Sequence, residues 1–203
     1  MITIDDLEAR SYDRGMWLLE RFSLTPLRHR VVREAHGTVL EIGAGTGANL
    51  SHYRPGMTVA AMDLRPAHLA AAVTKTRRAN PTLNLAVTCG NAQQLPFPDH
   101  TFNTVVGTLV FCSIGEPQIA LSEIRRVLRP GGQLLLLEHV RGQTPLTRRL
   151  TDWLHPLWFA LQGECHLNRE TATTVATAGF HIDSITVHAR GILQVMQATA
   201  PFE

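Results

Sequence analysis

The chain lacks any apolar run of the ~18–20 residues that a membrane-crossing helix needs. It also lacks a dominant charge: 19 Lys and Arg stand against 17 Asp and Glu, a net +2 with histidines neutral. That balance argues against a broad nucleic-acid surface, although a local basic patch remains open. Cysteine is scarce. Cys89, Cys112 and Cys165 are far apart and form no C-x-x-C pair, and an odd count suits a reducing, cytoplasmic setting rather than a disulfide scaffold. Cys165-His166 has no further ligands at metal spacing, so no metal is expected. Residues 1–10 carry four charges and no apolar segment, so no signal peptide is expected there. Repeats and low-complexity linkers are missing too. What remains is a chain of 203 residues, 44% apolar, enough for one domain around a real core.

That core is organised around Val39-Leu40-Glu41-Ile42-Gly43-Ala44-Gly45-Thr46-Gly47-Ala48-Asn49. Residues 39–42 read as a buried strand, being short, apolar and partly β-branched. Gly43, Gly45 and Gly47 allow a sharp turn and a close ligand approach, because none has a Cβ. A helix is expected from Gly47 to about Tyr53, and its free N–H groups should attract an anion, either a phosphate or a cofactor carboxylate. Gly43, Gly45 and Ala48 also fit the dinucleotide template G-x-G-x-x-G/A, with Asp63 placed for a ribose, so the loop alone does not choose among nucleotide classes.

The flanking segments alternate in type. Residues 5–36 read as helix with a break near Pro26, carrying an apolar cluster that includes Met16 and a basic run, Arg28 to Arg33. This segment is either a packing helix, a lid with Tyr12 and Asp13 near the ligand, or a membrane-surface helix. Strands are expected at 59–63, 83–88, 104–110 and 133–140, with helices at 67–79, 116–128 and 169–178. Asp63 could hold a diol or cap the next helix, and Asn91 could read a base edge or form an Asx-turn. Four consecutive leucines, Leu134 to Leu137, suit a strand buried on both faces. Residues 145–162 recur near helical spacing despite Pro156, and would cover the sheet, line an apolar pocket with Trp153 and Trp158, or touch a bilayer. Residues 182–187 and 192–198 close the chain as two strands. Strand–helix alternation predicts an open α/β sheet, mainly parallel, with ligands outside the strands' carboxyl ends. Glu41, Asp63, Asn91, Thr108 and His139 should therefore converge on one crevice.

Several of these pieces, taken together, resemble the class I S-adenosylmethionine-dependent methyltransferases. They are residues 39–47, Asp63, Gly90-Asn91-Ala92 with Leu95-Pro96-Phe97, and Arg126 to Gly132. The resemblance implies a Rossmann-like, seven-stranded, mostly parallel sheet with an antiparallel last strand. It also implies S-adenosyl-L-methionine as cofactor. Glu41, Gly43, Gly45, Gly47 and Asn49 would hold its methionine part, Asp63 and Leu64 its ribose, and Gly90, Asn91 and Ala92 its adenine, with Thr108 and Leu109 alongside. Where the family often has Asp, Asn91 accepts a hydrogen bond without carrying charge. A narrower likeness joins Gly107 to Ser113, Leu137 to Val140, and Cys165 to Glu170 to the methyltransferase-like 7 group, the thiol S-methyltransferases. On that likeness Tyr12, Met16, Phe111, Cys112, Trp153, Trp158, Cys165 and Arg169 would face the acceptor. The expected layout is a single domain over 1–203, with a helical lid at 1–36, a cofactor core at 37–140, and substrate-side helices and closing strands at 141–203.

The expected acceptor is a small apolar molecule, best a thiol or a related sulfur or selenium nucleophile. A thiol reacts as its thiolate, and its free pKa of about 8.5 leaves only a modest push to be supplied. His139 is the first candidate for that push and His166 the second, each also readable as a structural histidine. Cys112 reads as a small buried apolar residue rather than a nucleophile. Two other readings stay open: methyl transfer to a lipid or quinone with peripheral membrane contact, and a nicotinamide-dependent oxidoreductase or non-catalytic nucleotide sensor.

Overall fold

A computed structural model describes residues 24–162 and 165–202. In chain order the elements are α1 (Thr25–Glu34), β1 (Thr38–Ile42), β2 (Thr58–Asp63), α2 (Pro66–Ala79), β3 (Asn84–Cys89), β4 (Phe102–Thr108), α3 (Pro117–Val127), β5 (Leu128–His139), α4 (Pro145–Gln162), α5 (Thr171–Thr177), β6 (His181–His188) and β7 (Leu193–Thr199). The strands form one seven-stranded sheet, ordered β3-β2-β1-β4-β5-β7-β6. The first five pair in parallel. β7 is antiparallel to both β5 and β6. This is the mostly parallel sheet with an antiparallel last strand that the sequence led us to expect.

The helices start and stop where local chemistry directs. A proline sits in the first turn of α1, α2 and α3, where its fixed φ suits the helix and its missing N–H costs nothing. Arg33, Arg77, Arg78, Arg125 and Arg126 lie in the last turns, opposite the partial negative charge of the C-termini. The leucine run divides its side chains between two cores. Leu134 and Leu136 pack with Ala120, Leu121 and Ile124 of α3 and Val175 of α5, whereas Leu135 and Leu137 pack with Val31 and Val32 of α1 and Ala72 of α2. Truncating one such leucine to alanine typically costs about 2–5 kcal/mol.

Two segments differ from expectation. Residues 47–53 form no α-helix: Gly47 N bonds Ala44 O, Leu50 N bonds Gly47 O, and His52 N bonds Asn49 O, a succession of tighter i to i+3 turns. Gly45 and Gly47, at φ +53° and +83°, keep the chain out of the right-handed helical region. The anion site expected at a helix start therefore has no helix behind it. β5 begins at Leu128, five residues earlier than the expected 133, because Leu128 pairs with Phe102 before a register shift across the Arg129–Gly132 bulge.

α4 tolerates Pro156 within its length. Leu146, Leu150, Trp153 and Leu157 share one face of it and are 78%, 44%, 77% and 61% exposed. This stripe looks outward instead of covering the sheet. No helix among the described residues is long and apolar enough to cross a membrane.

Candidate active site

Strand order reverses beside β1, whose neighbours are β2 and β4, and such a switch point opens a crevice at the carboxyl ends. Glu41 near the end of β1 and Thr108 at the end of β4 flank it. Asn49 ties them together, its Nδ2 donating to Glu41 Oε1 at 3.1 Å and to Thr108 Oγ1 at 2.9 Å. Arg28 of α1 donates from Nη1 to Asn49 Oδ1 at 3.2 Å and to Thr108 Oγ1. All four side chains are buried. Burial pushes the Glu41 carboxyl up to about 7, against the pull of Tyr53, Asn49 and Arg28. Tyr53 adjoins Glu41, yet its hydroxyl and Glu41 Oε2 form no hydrogen bond of normal geometry, which leaves that buried oxygen unpartnered.

Arg28 is the member that the sequence reading placed in a basic surface run. Leu24, Arg28, Val31, Val32 and Ala35 form the buried face of α1 at helical spacing, so periodicity held the signal.

The glycine loop rests on Asp63. Its Oδ2 accepts from Gly45 N at 2.8 Å and its Oδ1 from Arg65 N at 2.9 Å. It is no helix cap, since α2 starts at Pro66 without a side-chain cap bond. A Cβ on Gly43 would stand 2.3 Å from Val110 Cγ2 and one on Gly47 2.9 Å from Ala72 Cβ, whereas one on Gly45 would meet nothing within 4 Å. Gly43 and Gly47 are thus glycine for packing, and Gly45 faces open space beside Asp63. Leu64 follows, 63% exposed. Gly90 N donates to Asp63 O at 3.0 Å, which brings the 90–92 turn to the same edge. Asn91 forms the Asx-turn, Oδ1 accepting from Gln93 N at 2.9 Å, with Ala92 buried behind it.

Across the crevice, β4 ends in a strained turn. Leu109 has φ +55°, held by a 2.7 Å bond from its N to Leu137 O. The next two amides, Val110 N and Phe111 N, donate to Glu138 Oε1 at 3.0 and 3.1 Å. Glu138 is 1% exposed, its Oε2 has no hydrogen-bond partner among the described residues, and burial pushes its pKa up to about 7 against the pull of the Phe111, Val110 and Cys112 amides. Glu138 lies inside the 137–140 stretch, where the sequence pattern assigns it no role. The signal was a carboxylate at the end of an otherwise apolar buried strand.

Phe111, Cys112, Trp158, Cys165 and Arg169 gather beside Glu138. His166 N donates to Cys112 O at 2.8 Å, which brings Cys165 to the Cys112 turn, and the Trp158 indole and the Arg169 guanidinium act on the Cys165 thiol. Trp153 lies apart from any enclosed wall, at 77% exposed. His139 ends β5 half-buried, its Nδ1 unpartnered, and burial lowers its pKa to about 4, so it is neutral and a weak proton acceptor at neutral pH. The His166 ring stacks on His155, with centroids 5.2 Å apart, and leans on Phe159 at 4.8 Å. Its pKa is lowered by burial, then by Arg169 and His155. Tyr12 and Met16 lie outside the described residues. Among the described residues no three His, Cys, Asp or Glu are placed to hold a metal.

Comparison with known proteins agrees with this geometry. A methyltransferase domain family model matches residues 40–136. A thiol S-methyltransferase from Rattus norvegicus is 36% identical over 182 residues, 86% of this chain and 72% of that protein. The chain belongs to the class I S-adenosylmethionine-dependent methyltransferases. A phosphatidylethanolamine N-methyltransferase from Cereibacter sphaeroides is 34% identical over 149 residues, covering 70% of this chain and 72% of that one. An S-adenosylmethionine-dependent methyltransferase structure from Thermotoga maritima superposes with TM-score 0.72 at 19% identity, over 94% of this chain and 95% of that one, a likeness of fold. The dinucleotide alternative is thereby set aside.

The residues present fit the methyltransferase cofactor, S-adenosyl-L-methionine. The Glu41 Oε2 lone pairs suit an ammonium, Gly45 leaves room where a side chain would intrude, and the Asp63 oxygens keep lone pairs for ribose hydroxyls.

Proposed function

We propose that this methyltransferase acts on a small apolar thiol, or a related sulfur or selenium nucleophile, with Glu138 as the proton acceptor. The observation that carries the reading is the buried Glu138 carboxylate, one oxygen held by the Val110 and Phe111 amides and the other without a hydrogen-bond partner among the described residues, within electrostatic reach of Cys112 and Cys165. The thiol S-methyltransferase from Rattus norvegicus supports it as a relative. When bound, the cofactor supplies a methyl group on a sulfonium, already a strong electrophile. The chain supplies alignment and the proton transfer. Val110 and Phe111 N–H fix the Glu138 carboxylate, and a pKa near 7 suits a group that must be anionic before turnover and protonated after it. His139, with a pKa of about 4, is the weaker base, so Glu138 takes the role first expected of it. Apolar walls, Phe111 among them, keep bulk water from competing.

A tritiated-methyl transfer screen across thiols, phenols, quinones and phospholipids tests the acceptor. Labelling of small thiols is expected, and labelling confined to quinones or phospholipids overturns the reading.

One observation favours a second reading, in which the acceptor is met at a bilayer. The outward Leu146-Leu150-Trp153-Leu157 stripe of α4 lies beside exposed Arg148 and Arg149, a pattern that suits an anionic membrane surface. The phosphatidylethanolamine N-methyltransferase relative is in keeping with it. Co-sedimentation with vesicles containing anionic lipid, weakened in Trp153→Ser, is expected. No binding to such vesicles removes this reading.

A further inference from the structure

We propose that Cys112 and Cys165 are an oxidisable pair that a peroxide closes to a disulfide, fastening the segment after α4 to the turn after β4 and shutting the acceptor side of the site. The backbone already joins the two segments: His166 N donates to Cys112 O at 2.8 Å. That bond sets Cys165, the residue before His166, beside the Cys112 turn, and a disulfide there needs the two Cα atoms about 4.4–6.8 Å apart. The two thiols influence each other electrostatically, while Cys112 Sγ makes its own hydrogen-bond contacts to Leu109 O at 3.6 Å and Ser113 Oγ at 3.7 Å. Cys112 is buried in the turn that also carries the Glu138-bound amides, and Cys165 is half-buried beyond the end of α4. Closing the bond therefore acts on the walls around Glu138 and leaves the Asp63 side untouched.

The two sulfurs are unequal, as an attacking and a resolving thiol should be. The neighbouring Cys112, then the Trp158 indole and the Arg169 guanidinium, hold the Cys165 thiol below its usual range against the opposing effect of burial. The neighbouring Cys165, burial and the nearby Glu138 charge push Cys112 well up. Cys165 thiolate attacks hydrogen peroxide, breaking the O–O bond, forming a sulfenic acid and releasing hydroxide, which takes a proton from solvent. Cys112 then attacks the sulfenic sulfur, forming the S–S bond and expelling the second oxygen, which leaves as water with the Cys112 proton. Two thiols lose two electrons in total, and one peroxide becomes two waters. A cellular thiol pool reverses the bond by exchange, so the pair suits a compartment that is ordinarily reducing.

The test uses the whole chain with an equimolar amount of hydrogen peroxide, followed by alkylation, proteolysis and mass spectrometry. The expected product is a Cys112–Cys165 cross-linked peptide, two hydrogens lighter than its parts, with exposed Cys89 alkylated as usual. Methyl transfer should fall about tenfold or more and return with dithiothreitol, while affinity for S-adenosylhomocysteine stays within about twofold. Cys112→Ser should stop at an oxidised Cys165 without the cross-link. The proposal is overturned if Cys112 and Cys165 both remain alkylatable, if Cys165 in the unmodified chain goes to sulfinic acid without a cross-link, or if the cross-linked protein keeps full activity. The cross-link is read by mass, so it fails or holds separately from the identity of the acceptor.

Discussion

Asp63→Asn isolates what the β2 carboxylate does. Each Asp63 oxygen accepts one backbone N–H, from Gly45 at 2.8 Å and from Arg65 at 2.9 Å, and the side chain is 8% exposed. Asparagine keeps the shape but replaces one oxygen with an NH2 group. Whichever way the amide turns, an N–H donor then faces another donor, and leaving one such buried donor unsatisfied costs about 1–3 kcal/mol. For a chain of this size that corresponds to a melting shift of about 2–12 °C. A second loss falls on the cofactor. A hydrogen bond to a charged acceptor is worth about 1.5–3 kcal/mol, so the dissociation constant should rise about 10- to 150-fold. Calorimetric titration with S-adenosylhomocysteine reads the affinity, and a thermal melt without ligand reads the loop. A lower melting temperature with an unchanged dissociation constant would show that Asp63 only braces the glycine loop, and the ribose assignment would fall.

Glu138→Gln tests the proton acceptor twice. The folded pKa of Glu138 is raised from 4.5 to about 7, so its contribution to stability is fully present below pH 4.5 and lost as pH rises through about 7. The variant should therefore gain on the parent by on the order of 3 kcal/mol between pH 5 and pH 8 in urea melts, and lose thiol methyl transfer about 10²- to 10⁴-fold. His139 works in the opposite sense, its lowered pKa removing stability as pH falls from 6.5 through about 4, but equally in both proteins. A parallel pair of pH–stability curves refutes the charge assignment. Gly43→Ala and Gly45→Ala should separate packing from binding. Both positions have positive φ, but the first sets a Cβ 2.3 Å from Val110 Cγ2 and the second meets nothing within 4 Å. Positive φ costs both variants about 1–3 kcal/mol of unfolding free energy, the Gly43→Ala clash adds to that loss, and Gly45→Ala should in addition lower the cofactor affinity. Equal effects on affinity would contradict that division.

The strand and helix order was legible because its signals are local. The leucine run had to be buried on both faces, and prolines at 26, 66 and 117 marked helix starts. The placement of Glu41, Asp63 and Thr108 around one crevice was legible because a polar group ending an apolar strand sits at the sheet's edge. The turns after Gly47 were misread because helix propensity says nothing about Gly45 and Gly47 being held at positive φ. Arg28 was misread because a basic run on a helix looks solvated until its apolar neighbours on the same face are counted.

By itself, the order of residues determined the alternating sheet, which depends on periodicity and turn chemistry. The cofactor class came from the likeness of several motifs taken together to a known family rather than from the glycine loop alone. Only the tertiary structure decided which ionisable groups are poised for chemistry. Neighbouring positions on β5 part ways there: Glu138 is held by the amides of a distant turn and driven up towards neutrality, while burial takes His139 below it. Proton affinity depends on what surrounds a group in space, and so does the bond from His166 N to Cys112 O, which brings segments 54 positions apart together.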